Sequence, residues 1–98
     1  MTKKGLVTDA VFKTYQQVVS RMAVLSNDLA NIDGNLSVDV EISSRPCIIS
    51  VRLFRWNEKD EIVSCDHYDW FYDHWDAEQT REKLFAKIDE WEATYGME

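Results

Sequence analysis

Residues 36–43 alternate between apolar and polar side chains without a fault, and the neighbouring segment 47–56 has apolar side chains at 47, 49, 51 and 53. An alternation with a period of two is typical of a half-buried β-strand. Pro46 lies in the short break between the segments, where a turn is favoured. We therefore predict that the two segments form an antiparallel hairpin, which limits the chain to folds that contain a sheet.

The hydrophobic pattern also suggests a register for this hairpin. The predicted pairs are Ile42 with Cys47, Val40 with Ile49, Val38 with Val51, and Leu36 with Leu53. This register places eight apolar side chains on one face of the sheet. A slip of one residue would oppose the apolar residues of the first strand with Ser50 and Arg52, which would cost buried apolar contact.

One helix is predicted before the strands in the sequence, and a second helix is predicted after them. The first covers about residues 9–31, and its apolar positions recur in steps of four and three, as on one face of a helix. These positions are Val11, Tyr15, Val18, Met22, Leu25 and Leu29, and Phe12, Val19 and Ala30 widen the stripe. The second helix covers about residues 76–95, and Asp76 with Gln79 resembles a capping box. Its apolar positions are Ala77, Leu84, Phe85, Ile88, Trp91 and Tyr95.

A third strand is predicted over about residues 61–71, and two registers are open for it. The favoured register places Val63 opposite Leu53 and Cys65 opposite Val51 on the core face, and leaves a disulfide between the cysteines unfavourable. The alternative register turns three other residues inward and turns Cys65 and His67 outward. Those three residues are Ile62, Tyr68 and Trp70.

Together these elements predict one α+β domain over residues 1–98, the usual size of a single domain. The order is α-β-β-β-α, with a three-stranded antiparallel meander packed against two helices on the Leu36, Val51 and Val63 face. Residues 1–7 are expected to be disordered. With two cysteines and no recognisable export signal, we expect a cytoplasmic protein with reduced thiols.

The charge of the chain limits its partners. The formal net charge is -7, with seven Lys and Arg against five Asp and Glu in residues 1–57, and four against thirteen in residues 58–98. A phosphate backbone needs basic side chains, so direct binding of duplex nucleic acid is not expected. The same argument disfavours an anionic membrane surface. A basic protein partner is compatible with this charge.

The remaining face of the sheet is predicted to be an interaction surface. A large apolar patch with aromatic residues and Arg is typical of protein interfaces. The candidate residues are Ile48, Arg52, Phe54, Trp56, Ile62, Tyr68 and Trp70. We therefore expect a non-catalytic protein–protein interaction module, homodimeric through this face or through the end of the long first helix. The competing interpretation is that the second helix or residues 70–75 fold over this face.

Residues 65–76 hold both histidines, one cysteine and four aspartates, so an alternative interpretation is a metal or enzymatic site around Cys65, His67 and His74. A structural zinc site typically needs four Cys or His ligands, and the chain lacks the paired motifs that supply them. Cys65 and His67 are two residues apart on one strand, which is too far for a thiolate–imidazole hydrogen bond. We expect no enzyme activity, no cofactor and no metal.

The aspartates of this segment support a third interpretation. Asp66, Asp69, Asp73 and Asp76 predict an acidic surface. Such a surface would imitate nucleic acid and inhibit a basic DNA-binding or nuclease partner, of the kind found with phages or mobile elements. An acidic chaperone of the secretion type is a further alternative, because it would also be a small dimer that binds another protein.

Overall fold

The computed structural model describes residues 9–96, and the predicted disorder of residues 1–7 lies outside this range. The elements are α1 (Asp9–Ile32), β1 (Leu36–Ser44), β2 (Cys47–Trp56), β3 (Ile62–Phe71) and α2 (Ala77–Tyr95). The strands form one antiparallel sheet in the order β1-β2-β3. The predicted α+β fold, with its order α-β-β-β-α, is confirmed. No helix within residues 9–96 has the length and apolar character needed to cross a bilayer.

Both helices pack on one face of the sheet, which we call the inner sheet face. α1 lies on β1, α2 lies on β3, and the two helices touch each other. The eight strand residues predicted to share a face all belong to the core or pack against it. The fully buried centre of the core consists of Val18, Leu25, Leu29, Ile49, Val51, Leu84, Ile88 and Trp91. The opposite side of the sheet, which neither helix covers, is the outer sheet face.

The predicted register of the β1–β2 hairpin is wrong by two residues. Ile42 pairs with Ile49, and Val40 pairs with Val51. The reason is the turn: Ser44 pairs with Cys47, so only Arg45 and a cis-linked Pro46 connect the strands. A slip of two residues leaves every side chain on its original face, so the face assignment is correct although the pairs are not.

The favoured register of β3 is also wrong. Tyr68 lies opposite Val51 and Trp70 opposite Ile49, so these aromatics face the helices. Val63, which we expected in the core, is 55% exposed, and Cys65 is exposed as well. The alternative register is correct for Tyr68 and Trp70. The alternative register also turns Ile62 inward, and this part of it is wrong, because Ile62 is 49% exposed on the other face of the sheet.

A β-bulge changes the face of β3 near its start. The register shifts between Arg55 and Trp56, so Trp56 pairs with Ile62. A bulge inserts one residue into one strand, and every residue beyond it changes its face. Ile62 therefore lies on the outer sheet face, although Tyr68 and Trp70 share its even position in the alternation.

The start of α2 differs from the prediction in one detail. The side chain of Asp76 makes no capping hydrogen bond, so the predicted capping box is wrong. The backbone N–H of Thr80 donates to the Asp76 carbonyl oxygen over 3.0 Å, and the Thr80 hydroxyl donates to the same oxygen over 3.1 Å. Backbone and Thr80 contacts therefore hold this helix start.

Candidate interaction surface

The outer sheet face has apolar side chains at both ends. At one end, Phe54 and Trp56 lie 6.2 Å apart between ring centroids, and Ile62 lies opposite Trp56. At the other end, Ile48 lies opposite Phe71. Ile62 and Phe71 are 49% and 45% exposed, respectively. Two apolar patches are therefore accessible to a partner from the same side of the sheet.

A hydrogen bond fixes the orientation of the largest of these side chains. Trp56 Nε1 donates to Ser37 Oγ over 2.8 Å, across the β1–β2 hairpin. The bond satisfies the indole N–H while the ring remains partly accessible on the outer sheet face. A tryptophan held in this way loses little conformational entropy on binding, which favours its use as an anchor.

Between the two apolar patches lies a charged centre built on Arg52. Its Nε donates to Asp39 over 2.8 Å, and its Nη2 donates to Glu41 over 3.1 Å. The hydrogen bond to Asp39 is the main reason that the pKa of Arg52 is raised, and the bond to Glu41 adds to it. His67 lies beside Arg52 on β3, and Asp69 is on the same face. The centre holds three carboxylates and one guanidinium.

Tyr68 and Trp70, which we predicted to belong to the interaction surface, are placed elsewhere. Trp70 is only 3% exposed, and its Nε1 donates to the Ala77 carbonyl over 2.9 Å and to Thr80 Oγ1 over 3.1 Å. Tyr68 packs against the core from the same side. Both aromatics therefore hold α2 on the inner sheet face and do not join the apolar patches of the outer sheet face.

α2 does not cover the outer sheet face. Leu84, Ile88 and Trp91 bury α2 against the inner sheet face. Of residues 70–75, Trp70 and Tyr72 are buried, and the His74 ring lies 6.0 Å from the Phe71 ring on the outer sheet face. Trp75, within the 70–75 segment, is 88% exposed.

The four predicted acidic residues do not share one surface. Asp69 lies on the outer sheet face, whereas Asp66, with the opposite parity on β3, lies on the side of α2. Asp73 is exposed in the connection between β3 and α2, and Asp76 directly precedes α2. The four carboxylates are therefore not all on one face of the sheet, because Asp66 and Asp69 lie on opposite sides of it.

Asp66 forms a small polar cluster with α2. Trp91 Nε1 donates to Asp66 Oδ2 over 2.9 Å, and Lys87 Nζ lies 3.2 Å from the same oxygen. Partial burial raises the pKa of Asp66, but the hydrogen bonds from Trp91 and Lys87 and the charge of Lys87 outweigh it, so the pKa is lowered overall. This carboxylate has a structural role in holding α2 against β3.

The residues of the predicted metal or enzymatic site are dispersed. Cys65 and His67 are exposed on the outer sheet face, opposite Phe54 and Arg52, respectively. His74 lies in the connection to α2, where its Nδ1 is 3.5 Å from Asp76 Oδ1. Residues 9–96 contain no group of three or more His, Cys, Asp or Glu side chains that could hold a metal ion.

Sequence reasoning missed Phe71 as a member of the outer sheet face. The residue ends the predicted strand, and its odd position gives it the same face as Cys65 and His67 once the register is known. Assigning the odd positions of β3 to the outer sheet face would have identified Phe71 as a member of it. Its pairing with Ile48 then completes the second apolar patch.

The surface thus consists of two apolar patches, formed by Phe54, Trp56 and Ile62 and by Ile48 and Phe71, around an Arg52 centre with excess negative charge. Such a surface can bind another macromolecule by apolar contact and by charge. No protein-family model, no curated protein and no solved structure matches this chain, so its function must be inferred from these surfaces.

Proposed function

We propose that the protein is a non-catalytic protein–protein interaction module whose recognition surface is the outer sheet face. The observation that supports this proposal most directly is that neither helix covers this face, although it carries five large apolar side chains. Exposed apolar patches that are bordered by polar side chains are typical of protein–protein binding sites. The five side chains are Ile48, Phe54, Trp56, Ile62 and Phe71.

The types of residue on this face support the same proposal. Trp and Arg are among the residues that contribute most to protein–protein binding when they lie near the centre of an interface. Here Trp56 is oriented by Ser37, and Arg52 is held by Asp39 and Glu41. Side chains that are ordered before binding lose less entropy on association, which increases affinity.

The charged centre indicates the chemistry of the partner. Asp39, Glu41 and Asp69 outnumber Arg52 on this face, and the whole chain has a formal net charge of -7. A complementary surface would place apolar side chains over the two patches and a Lys or Arg over the centre. The net charge would also accelerate encounter with such a basic partner at low salt.

Site-specific photo-crosslinking tests the proposal. A benzophenone amino acid is introduced at Phe54 or at Phe71, and at Val24 as a control, because Val24 is 60% exposed on α1 and lies away from the outer sheet face. In extract of the native host, we expect the same protein to be crosslinked at positions 54 and 71 and not at 24. Mass spectrometry of the adducts identifies the protein.

Charge substitutions then test whether the apolar patches are needed. Ile62→Glu and Phe71→Glu should each reduce binding of the crosslinked protein at least tenfold, whereas Val24→Glu should leave it unchanged. All three side chains are about half exposed or more, so the variants should fold normally. Adducts that are equal at all three positions, or binding that is insensitive to both outer-face variants, would refute the proposal.

A further inference from the structure

β1 has an edge that pairs with no other strand among residues 9–96. Its nine residues pair with β2 without a register shift, and the bulge of the sheet lies in the other strand pair. β1 contains neither Lys nor Pro. Natural proteins usually protect a regular edge with charged side chains, Pro or a bulge, because its unpaired N–H and C=O groups can bind another strand. The two charged side chains of β1, Asp39 and Glu41, are both paired with Arg52.

The side of α1 above this edge is uncharged. Arg21 bonds to Glu92 of α2, so the side of α1 that carries Arg21 faces α2. Because α1 lies on the edge strand β1 and α2 lies on β3, the opposite side of α1 lies above the free edge. At about 100° per residue, that side carries a row of residues with helical spacing. The row consists of Phe12, Tyr15, Val19, Ala23, Ser26 and Ala30.

This row continues into the apolar side chains of β1. Val38, Val40 and Ile42 face the helices but are only partly buried, whereas Ile49 and Val51 on the central strand are completely buried. The exposed part of the β1 residues therefore adjoins the uncharged side of α1. We call the row on α1 together with Val38, Val40 and Ile42 the lateral strip.

We propose that the lateral strip binds a second copy of this chain about a two-fold axis. β1 pairs antiparallel with β1 of the other copy, so that the two sheets form one continuous six-stranded sheet. The two α1 helices pack beside each other above the new strand pair. This homodimer goes beyond the recognition function proposed above, and it uses a different surface from the outer sheet face.

The sequence of β1 is suited to pairing with itself. In an antiparallel pair centred on Val40, Val38 of one copy lies opposite Ile42 of the other, so apolar side chains meet along the inner sheet face. An isologous two-fold contact requires this kind of self-complementarity. On the outer sheet face Asp39 would lie opposite Glu41 of the second copy, and each is already paired with Arg52 of its own chain.

The charge of the chain also favours this surface for self-association. Two copies with a net charge of -7 repel each other, and repulsion is least where an uncharged surface meets its own copy. The lateral strip contains no Asp, Glu, Lys, Arg or His. β1 and β3 each carry two acidic side chains, and both of those on β1, Asp39 and Glu41, are paired with Arg52.

The strip is large enough for a specific dimer. A strand of this length extends ~30 Å. The sheet layer and the helix layer are each ~10 Å thick, so the strip is ~20 Å high. With the width of both layers, the strip covers ~600 Å² per copy, or ~1,200 Å² for the pair, which is at the lower end of the range for stable interfaces. We therefore expect the dimer to dissociate on dilution.

Light scattering and sedimentation velocity of the full chain test the proposal. The wild type should have the mass of a dimer, decreasing toward that of a monomer on dilution. Phe12→Lys combined with Ala23→Lys should be monomeric, because both exposed side chains lie in the strip. The matched control, Gln17→Lys combined with Val24→Lys, adds the same charge on other sides of α1 and should remain dimeric. Circular dichroism verifies that all three proteins are folded.

A disulfide experiment tests the pairing of the strands. In a Cys65→Ser background, Val40→Cys should form an intermolecular disulfide, because Val40 lies on the two-fold axis. Val38→Cys should not, because the two copies of residue 38 would be ~13 Å apart along the strands at ~3.3 Å per residue.

The dimer proposal would be overturned by a wild type that is monomeric at all concentrations, or by a dimer that persists when Phe12→Lys is combined with Ala23→Lys (the strip variant). Crosslinking at Val38→Cys without crosslinking at Val40→Cys would also overturn it. A dimer lost in Ile62→Glu but not in the strip variant would place self-association on the outer sheet face instead. Because the partner test above uses other variants, failure of either proposal leaves the other measurable.

Discussion

Trp91 Nε1 donates a hydrogen bond of 2.9 Å to Asp66 Oδ2, and this contact joins α2 to β3. The indole ring is buried in the core, while the carboxylate lies at the boundary with solvent and also contacts Lys87. The buried N–H therefore has a partner without the cost of a fully buried charge. This contact gives Asp66 a structural role, although its side chain remains 47% exposed.

Two substitutions of Asp66 should distinguish the contribution of its hydrogen bond to stability from the contribution of its ion pair. Asp66→Asn retains an acceptor for Trp91 and loses the charge that faces Lys87, so we expect the free energy of unfolding to fall by ~0.5–1 kcal/mol. Asp66→Ala leaves the buried N–H without an acceptor and should cost ~1–3 kcal/mol. Urea unfolding of the three proteins at pH 7 measures the difference. Equal losses in both variants would contradict this division of roles.

The lowered pKa of Asp66 predicts how its contribution depends on pH. A carboxyl whose pKa is lower in the folded chain stabilises the fold above its unfolded pKa, and this stabilisation is lost as the pH falls through the folded pKa. The difference in unfolding free energy between the wild type and Asp66→Asn should therefore decrease between pH 5 and about pH 3. A difference that stays constant or grows over this range would show that the ionised carboxylate is not responsible.

Trp70 and Phe71 are neighbours in sequence that should respond very differently to truncation. Trp70 is buried under α2, whereas Phe71 is half exposed on the outer sheet face. Trp70→Ala should lower the free energy of unfolding by ~3–5 kcal/mol. Phe71→Ala should lower it by ~1 kcal/mol or less. If Phe71→Ala lost more unfolding free energy than Trp70→Ala, the face of β3 that carries Phe71 would be the one that packs against the helices.

The two cysteines should differ in their reactivity with a thiol reagent. Cys65 is exposed on the outer sheet face, and Cys47 is buried against the core. In the native protein, we expect Ellman's reagent to modify one thiol rapidly, and in denaturant to modify two. Cys65→Ser should abolish the rapid reaction, whereas Cys47→Ser should retain it. Rapid modification of both thiols in the native protein would be inconsistent with the burial of Cys47.

Arg21 joins the two helices through several contacts that lysine cannot reproduce together. Its Nε donates to Glu92 over 3.2 Å, its Nη2 bonds to Glu92 and Asp89, and its guanidinium lies 5.9 Å from the Phe85 ring centroid. The hydrogen bond to Glu92 is the main reason that the pKa of Arg21 is raised. Arg21→Ala should lower the unfolding free energy by ~1 kcal/mol, because the pair is partly exposed.

Arg21→Lys distinguishes geometry from charge at this position. It keeps the positive charge but loses the planar fork, so its stability should lie between those of the wild type and Arg21→Ala. A double-mutant cycle with Glu92→Gln measures the coupling between the two side chains. A coupling energy near zero would mean that the contact does not contribute to the stability of the helix pair.

The order and extent of the elements could be predicted from the sequence because each follows from a local pattern. The spacing of Val11, Val18 and Leu25 predicts α1, and these residues are buried as expected. The alternation from Leu36 to Ile42 predicts β1 and the face that it turns to the core. Each predicted boundary agrees with the structure to within one residue. Such patterns depend on the geometry of one element and need no knowledge of its neighbours.

The composition of the outer sheet face was only partly predictable. Ile48, Phe54 and Trp56 belong to β2, whose face follows from its pairing with β1. Tyr68 and Trp70 were misplaced because the face of β3 depends on the turn that joins it to β2. In that turn, Asn57 Oδ1 accepts hydrogen bonds from the backbone N–H groups of Lys59 and Glu61. The bulge beside this turn then separates Ile62 from the other residues of the same parity.

The sequence by itself determined the α+β class, the five elements and the face on which β1 and β2 contribute to the core. The tertiary structure decided the register of both strand pairs and the members of the outer sheet face. For β1 and β2, the physical reason is that a pattern with a period of two does not change when a strand slips by two residues. For β3, Leu53 lies opposite Asp66 instead of Val63, and a shift by an odd number of residues exchanges the two faces. Only the closed turn at Arg45 and the bulge near Trp56 select one register, and both depend on contacts between strands.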